Sequence, residues 1–388
     1  MRRTRRYIVY VILALGCILY GACKDPYTPD LQGKNINYLV VDGMIVVGPS
    51  TTTRIMLSRA SALKDTAKMI YETKAKVTVE VEGGGSYDLV ESPIGTYTAS
   101  DLNIAVDKKV RLKIATQKND QYISSFVPVR NVPPIDTIAS YRKNDVFTVY
   151  VNTHDPSNST KYYRWTYEGT YEYNSQWYSR QVFNNNDSTL RSRPYSEQVK
   201  LFRCWKNLVT NSILVASSER SSVDQIVQEP LQSFNRDQIE ISVGYRILVR
   251  QYALTSEAYD YLNNVRKYTE QLGGIFDPLP TELRGNIVNV QNPAEPVVGY
   301  ISASMETTKA RYFSRPSYST FENKCGFATE VLDQSKAGLA LYFGYDRGYP
   351  VFLDPEEKKL GVTGSFRCLD CLQLQTGGYN VRPDFWPF

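Results

Sequence analysis

Lys76-Val77-Thr78-Val79-Glu80-Val81-Glu82-Gly83-Gly84-Gly85-Ser86-Tyr87-Asp88-Leu89 is the stretch from which the fold class follows. Val77, Val79 and Val81 fall on one side of an extended chain, and Lys76, Thr78, Glu80 and Glu82 on the other. Strict alternation of this kind marks an antiparallel strand with one buried and one wet face. The three glycines and Ser86 turn the chain, and Tyr87 and Leu89 carry the apolar face back as the returning strand. The glycines therefore close a hairpin, and do not cradle a phosphate at the start of a helix.

The same signal continues on both sides. Ile36 to Val47 is rich in β-branched residues, and Arg54 to Ser58 follows it. Gly95-Thr96-Tyr97 marks another turn and strand entry; Val110, Leu112 and Ile114 alternate again, and Tyr122 to Val129 closes the series. Short strands punctuated by Gly and Pro predict an immunoglobulin-like (Ig-like) or prealbumin-like β-sandwich over residues 36–131. Val132-Pro133-Pro134-Ile135-Asp136 is the expected boundary, since two prolines remove backbone donors and stiffen the chain.

Residues 132–388 read as a second, larger, mostly-β domain with a helical insertion near 255–273. Val146 to Asn152 opens it, and an aromatic run follows through Tyr162, Tyr163, Trp165, Tyr167, Tyr171, Tyr173, Trp177 and Tyr178. Alternation places Trp165, Tyr167, Tyr171 and Tyr173 on one face, which either covers a sheet as core or presents a binding platform. Ser222 and Gln225 form a capping-box pattern that predicts a short helix. Gly244 to Leu254 predicts a strand. Thr255 to Gly273 predicts a helix, with Ala258, Tyr261, Leu262, Val265 and Leu272 as its apolar stripe and Gly273-Gly274 as its stop. Residues 306–365 give no clear pattern, and the aromatic end Phe385-Trp386-Pro387-Phe388 is expected to dock on the body of the protein.

The N-terminus predicts an address. Arg2, Arg3, Arg5 and Arg6 precede an uncharged apolar run from Tyr7 to Tyr20, too short for the roughly 20 residues that cross a bilayer. Gly21-Ala22 directly before Cys23 predicts residues 1–22 as a lipoprotein signal, Cys23 as the lipid-bearing residue, and 23–35 as a tether. The lipid partner reached through Cys23 would be an outer membrane. Of the net charge of +5, the signal arginines supply most, so the mature chain offers no case for nucleic-acid binding. The remaining cysteines, Cys204, Cys325, Cys368 and Cys371, predict two disulfides in an oxidising compartment, with three connectivities open.

Motifs for chemistry are sparse. The one histidine, His154, stands in a turn, and no Gly-x-Ser-x-Gly elbow, His-Glu-x-x-His or phosphate loop occurs. No catalytic residue, metal site or cofactor is expected; a glycosidase needs only two carboxylates, which sequence alone does not pair.

Three segments together resemble a known family. They are Tyr162-Tyr163-Arg164-Trp165 with Cys204-Trp205; Arg246 to Tyr252 running to Gly299-Tyr300-Ile301-Ser302-Ala303-Ser304; and Cys368-x-x-Cys371 with Gly377-Gly378 and Pro383-Asp384-Phe385-Trp386. The combination is similar to the Bacteroidota lipoprotein family labelled domain of unknown function 4249. The resemblance implies a surface lipoprotein that accompanies a TonB-dependent transporter in uptake. Lys24-Asp25 resembles part of the surface-export signal of that phylum, and Asp65-Thr66-Ala67 and Asp136-Thr137-Ile138 are similar to its O-glycosylation triplet. The expected function is thus non-catalytic capture at the outer membrane, on its outward or its periplasmic face. Trp165, Tyr171, Tyr173, Trp177 and Tyr178 are the expected aromatic contacts. A structural or adhesive role in outer-membrane assembly is the alternative, and a carboxylate-based glycan hydrolase a third.

Overall fold

The computed structural model describes residues 37–60, 69–270, 284–323, 325–354, 356 and 359–387. The signal, Cys23, the tether, Asp65-Thr66-Ala67 and the Gly273-Gly274 stop lie outside the described residues.

The first strands are β1 (Leu39–Val47), β2 (Thr52–Arg59), β3 (Ile70–Tyr71), β4 (Lys76–Val81), β5 (Ser86–Glu91), β6 (Thr96–Ser100), β7 (Lys109–Ala115), β8 (Gln121–Ser124) and β9 (Val127–Arg130). The opening hairpin forms as expected: Val77 faces Leu89 and Val79 faces Tyr87 across β4 and β5. Val77, Val79, Val110, Leu112 and Ile114 all point into one core with Leu39, Val41, Ile55 and Leu57.

The second set is β10 (Ile135–Lys143), β11 (Val146–His154), β12 (Tyr162–Asn174), β13 (Gln181–Asn184), β14 (Thr189–Ser192), α1 (Tyr195–Phe202), β15 (Arg203–Val209), β16 (Leu214–Ser217), β17 (Gln225–Asn235), β18 (Gly244–Ala253) and α2 (Ser256–Glu270). The last set is β19 (Ile287–Asn289), β20 (Ala303–Met305), β21 (Thr307–Ser314), β22 (Thr329–Glu330), α3 (Lys336–Phe343), β23 (Tyr349–Phe352) and β24 (Leu360–Thr363). The chain is mostly β, with its longest described helix, α2, directly after β18 as predicted.

The first sheet is not built from residues 36–131 alone. Its order is β19-β8-β7-β4-β5-β6-β2-β1-β20-β9, and β9 also pairs with β7, so the ring of strands closes. β20 lies parallel to both β1 and β9, and β19 extends the edge at β8. Closure removes open edges that would otherwise pair with other chains. The segment that returns past the proline boundary therefore completes the first core with Ile287, Val297, Ile301 and Ala303. Gly299 makes this return fit: at φ +140, a Cβ there would stand 2.2 Å from the Val41 carbonyl oxygen.

Two further sheets, β10-β11-β17 and β15-β12-β18-β21 with β16, pack around a second core. Its members include Phe147, Val149 and Val151 from one sheet and Trp165, Tyr167, Ile247 and Val249 from the other. The capping box at Ser222 does not open a helix; residues from Gln225 form β17. Pairing along β11 satisfies the backbone of this segment while Ile226, Leu231 and Phe234 reach the core, which outweighs a local capping preference. A third, small core of Val331, Leu339, Phe343 and Leu360 belongs to α3 and the β22-β24-β23 sheet, and takes Phe183 and Leu190 from the β13–β14 hairpin.

Candidate functional site

The aromatic run that suggested a binding platform is largely interior. Trp165, Tyr171 and Tyr173 are 1%, 1% and 0% exposed, and belong to the second core. They cannot meet a ligand from solvent. The physical reason is that segments distant in the chain cover them: Trp165 shares the second core with the opposing sheet, and the Tyr173 hydroxyl lies against Gly378 of the C-terminal segment. Trp165 Nε1 donates to Gln251 Oε1 (2.8 Å), and burial pushes the Tyr173 hydroxyl pKa up to about 12. Trp177 and Tyr178 are half-buried just beyond β12. The Trp177 backbone N–H donates to the Cys368 carbonyl, and the Tyr178 ring stacks on Phe202 with centroids 3.7 Å apart.

The chain enters a pocket immediately after Tyr178. A pocket of about 300 Å³ is lined by Ser179, Gln181, Phe183, Arg193, Tyr349 and Phe366, among others. Three parts of the chain meet there: the β13–β14 hairpin, the segment from the end of α3 into β23, and the short helical turn Phe366–Cys368. The hairpin turn is set by its own side chains, with Asn184 Oδ1 accepting from Asn186 N and Asp187 Oδ1 from Thr189 N. α3 starts on Ser335, whose hydroxyl accepts from Gly338 N. Its end kinks through Tyr345 (φ 54) and Asp346 (φ 59), and the Tyr345 N–H donates to Asn185 Oδ1 (3.0 Å) in the hairpin turn. Gly348 then lets β23 approach: a Cβ there would meet Val362 Cγ2 at 2.2 Å and the Tyr342 carbonyl at 2.9 Å.

Aromatic rings supply much of the apolar half of the inner surface. Phe183 and Phe343 pack with centroids 5.9 Å apart, and Tyr349 and Phe366 with centroids 5.1 Å apart. Ser179, Gln181, Asn185, Arg193 and Asp346 supply the polar half. Gln181 Oε1 is buried and has no hydrogen-bond partner among the described residues. A buried acceptor without a donor carries a desolvation cost of roughly 1–3 kcal/mol. Arg193 Nε donates to Ser179 Oγ (3.0 Å), and Asn185 and Asp346 are exposed at the rim. Asp346 is the one carboxylate among the described lining residues, whereas glycoside hydrolysis uses a pair. The chemistry this arrangement supports is binding: an apolar ring face against the aromatics, with hydrogen bonds to the amide and the rim.

A larger cleft of about 580 Å³ lies where β1 and β2 face β12 and β18. Some of its charges are paired, while Asp42, Arg54 and Arg164 also line it. Arg250 meets Glu168 at 2.9 Å and Glu306 at 3.7 Å, and the Tyr252 hydroxyl donates to Glu306 (2.7 Å). That pattern is a polar seam within the protein. His154 Nδ1 stands 2.7 Å from Asp136 Oδ2 at the surface, and that hydrogen bond raises its pKa. Among the described residues no group of three or more His, Cys, Asp or Glu side chains is placed to hold a metal ion.

Of the four cysteines after Cys23, Cys204 and Cys371 are joined in a disulfide, and Cys325 and Cys368 are free thiols. The bond ties β15 to the C-terminal segment. That segment docks: Trp386 is 2% exposed and its Nε1 donates to Glu172 Oε2 (2.8 Å), which also holds Arg203.

No signal in the sequence pointed to the pocket. Its residues come from three separated stretches, one of them inside the region 306–365 where the sequence gives no clear pattern.

Fold and site define a mostly-β protein whose third, small core carries an aromatic pocket. The chain belongs to the family described as "Domain of unknown function (DUF4249)", which matches residues 24–310. That match takes in the hairpin wall of the pocket and stops short of α3, β23 and the Phe366 turn. No curated protein matches the chain. Among solved structures it is similar to a two fibronectin type-III domain segment of chicken tenascin, at 11% identity, over 70% of this chain and 97% of that one, with a TM-score of 0.16. It is also similar to chitinase ChiA74 from Bacillus thuringiensis (8% identity, 52% and 27% covered, TM-score 0.16). A third similarity is to a putative membrane anchored protein from Corynebacterium diphtheriae (10% identity, 56% and 55% covered, TM-score 0.16). At these TM-scores none bears on function.

Proposed function

We propose that this chain is a lipid-anchored envelope protein of the Bacteroidota type that captures a small ring-bearing polar ligand for an outer-membrane TonB-dependent transporter. The observation that carries capture is the aromatic pocket with the unpartnered amide oxygen of Gln181. A volume of about 300 Å³ suits a single ring, and stacked or tilted aromatic faces beside a few polar groups suit a pyranose or a similar polyol. The anchor reading is supported by the arginines, apolar run and Gly21-Ala22-Cys23 of the N-terminus, and surface display by Lys24-Asp25.

Ligand-observed saturation-transfer NMR with methyl pyranosides tests the site. Transfer to a pyranoside is expected in the native chain and should be lost in Phe366→Ala and Gln181→Leu. Equal transfer in both variants would remove the pocket from the function. Labelled palmitate should enter the native protein and not Cys23→Ser, and protease shaving of intact cells should cleave an outward-facing chain. Affinity purification from detergent-extracted membranes should bring down the transporter.

A structural or adhesive role is the second reading. It is favoured by apolar side chains held in solvent on and around α3: Phe327 at 99%, Tyr345 at 88%, Leu332 at 82% and Leu341 at 65% exposure. Under that reading, deleting the gene would weaken the envelope without changing growth on any one nutrient.

A further inference from the structure

We propose that Cys325 and Cys368 close a second disulfide in the exported protein, so that both cysteines of the Cys368-Leu369-Asp370-Cys371 turn are bonded, each to a different partner. The sequence leaves three pairings open. With Cys371 already joined to Cys204, the local Cys368–Cys371 pairing is ruled out and one partner remains for Cys368.

Geometry has brought that partner into place. Cys368 Sγ donates to the Cys325 carbonyl oxygen at 3.1 Å. Neither side hangs free. Cys325 N donates to the Asn323 carbonyl (2.9 Å), and Asn323 Nδ2 donates to the Asn174 carbonyl (2.9 Å) at the end of β12. On the other side the Cys368 carbonyl accepts from Trp177 N (3.1 Å) and Cys368 N donates to the Ser365 carbonyl (3.2 Å). Both thiols are thus anchored to the same region of the fold, the end of β12 and the residues just after it. The inference does not rest on the capture reading. It does bear on the pocket, because Phe366 and Leu369 flank Cys368 in the wall.

The step is a two-electron oxidation. A thiolate attacks the disulfide of an exogenous oxidant, such as oxidised glutathione or a thiol oxidase, and forms a mixed disulfide. The second thiolate then displaces the oxidant's sulfur. Both thiol protons are lost, one S–S bond forms, and the oxidant leaves as its reduced thiol. Burial, followed by the neighbouring Cys368 thiol, pushes the Cys325 thiol pKa up to about 12, and Cys368 is only 1% exposed. The docked thiols therefore exchange slowly at neutral pH, and the bond forms faster in a chain that is still folding.

The test uses the full chain exported with its own signal, alkylated under denaturing conditions without reductant. Intact mass should fall below that of the reduced chain by two hydrogen atoms for each of two bonds. A non-reduced digest should yield a peptide pair joining Cys325 and Cys368. Cys325→Ser should expose one alkylatable thiol at Cys368, and Cys368→Ser one at Cys325. The Cys325→Ser/Cys368→Ser variant should keep the Cys204–Cys371 link and melt at a lower temperature than the native chain. Oxidised glutathione should close the pair much faster during refolding than after folding in reductant. Alkylation of Cys325 and Cys368 in the untreated native chain, or a peptide joining either to another cysteine, would overturn the inference.

Discussion

Replacing Gln251 with methionine should destabilise the protein by about 3 kcal/mol, because one buried amide serves three separate parts of the fold. Gln251 lies in β18 and is 0% exposed. Its Oε1 accepts from Trp165 Nε1 (2.8 Å) in β12. Its Nε2 donates to the Pro133 carbonyl (2.9 Å) in the boundary segment and to Thr153 Oγ1 (2.9 Å) in β11. The side chain thus bridges the two sheets of the second core and the prolines that lead into it. Methionine has nearly the same length and volume, so packing is largely kept. What is lost is pairing: Trp165 Nε1 and the Pro133 oxygen are left buried and unsatisfied, at roughly 1–3 kcal/mol each. Thr153 still donates to the Pro134 carbonyl (3.2 Å), which spares it the full penalty. The better burial of the thioether offsets part of the cost, on the order of 1 kcal/mol. Gln251→Glu should do worse at neutral pH, since a buried carboxylate would face the Pro133 oxygen without a donor to offer it. Urea unfolding followed by tryptophan fluorescence measures the loss, with an unchanged denaturant slope identifying it as stability. A loss below about 1 kcal/mol in Gln251→Met would refute the reasoning, because it would mean these groups find other partners or water.

Trp386→Ala should cost about 3–5 kcal/mol, as for other large buried aromatics, and should be visible as a lower urea midpoint with Glu172 still paired to Arg203. Gly348→Ala should destabilise the β23–β24 end and abolish pyranoside saturation transfer, because the new Cβ meets Val362 and the Tyr342 carbonyl. The His154–Asp136 pair raises the histidine pKa, so its contribution is full below the unfolded-state value near about 6.5 and is lost as pH rises through the higher folded-state value. NMR titration should show the raised pKa, and Asp136→Asn should bring it down. The Asp155 carboxylate works in the opposite direction. Although burial alone would raise its pKa, hydrogen bonds from Ser157, Ser159 and Thr160 hold it far below the usual carboxylate range. That stability is present above the unfolded-state pKa and is lost as pH falls towards the folded-state value, so Asp155→Asn should flatten the acid limb of a stability–pH curve.

The strands most legible in the sequence are those with one wet face. β4, β5 and β7 could be read residue by residue because Val77, Val79, Leu112 and Ile114 alternate with charged partners. The helix α2 was legible for the corresponding reason, a stripe at helical spacing. Legibility failed where pairing is long-range. β17 carries a capping pattern that its pairing with β11 overrides, and β20 is three residues long and exists because β1 and β9 leave a gap for it. The pocket is in the same position, since none of Gln181, Tyr349 or Phe366 is distinctive until the three segments meet.

The sequence by itself determined the β class, the aromatic wealth of the second core and the number of cysteines available for pairing. Only the tertiary structure decided what those residues face. Trp165, Tyr171 and Tyr173 are core because segments distant in the chain cover them, and a Tyr or Trp in a strand carries no mark of which face will be covered. Likewise Cys371 pairs with Cys204 across a sequence separation of 167 residues, and the polar seam around Arg250 lies between sheets far apart in the chain. Periodicity is a property of neighbours along the backbone, whereas closure, pairing and pockets depend on which distant segments can be buried together.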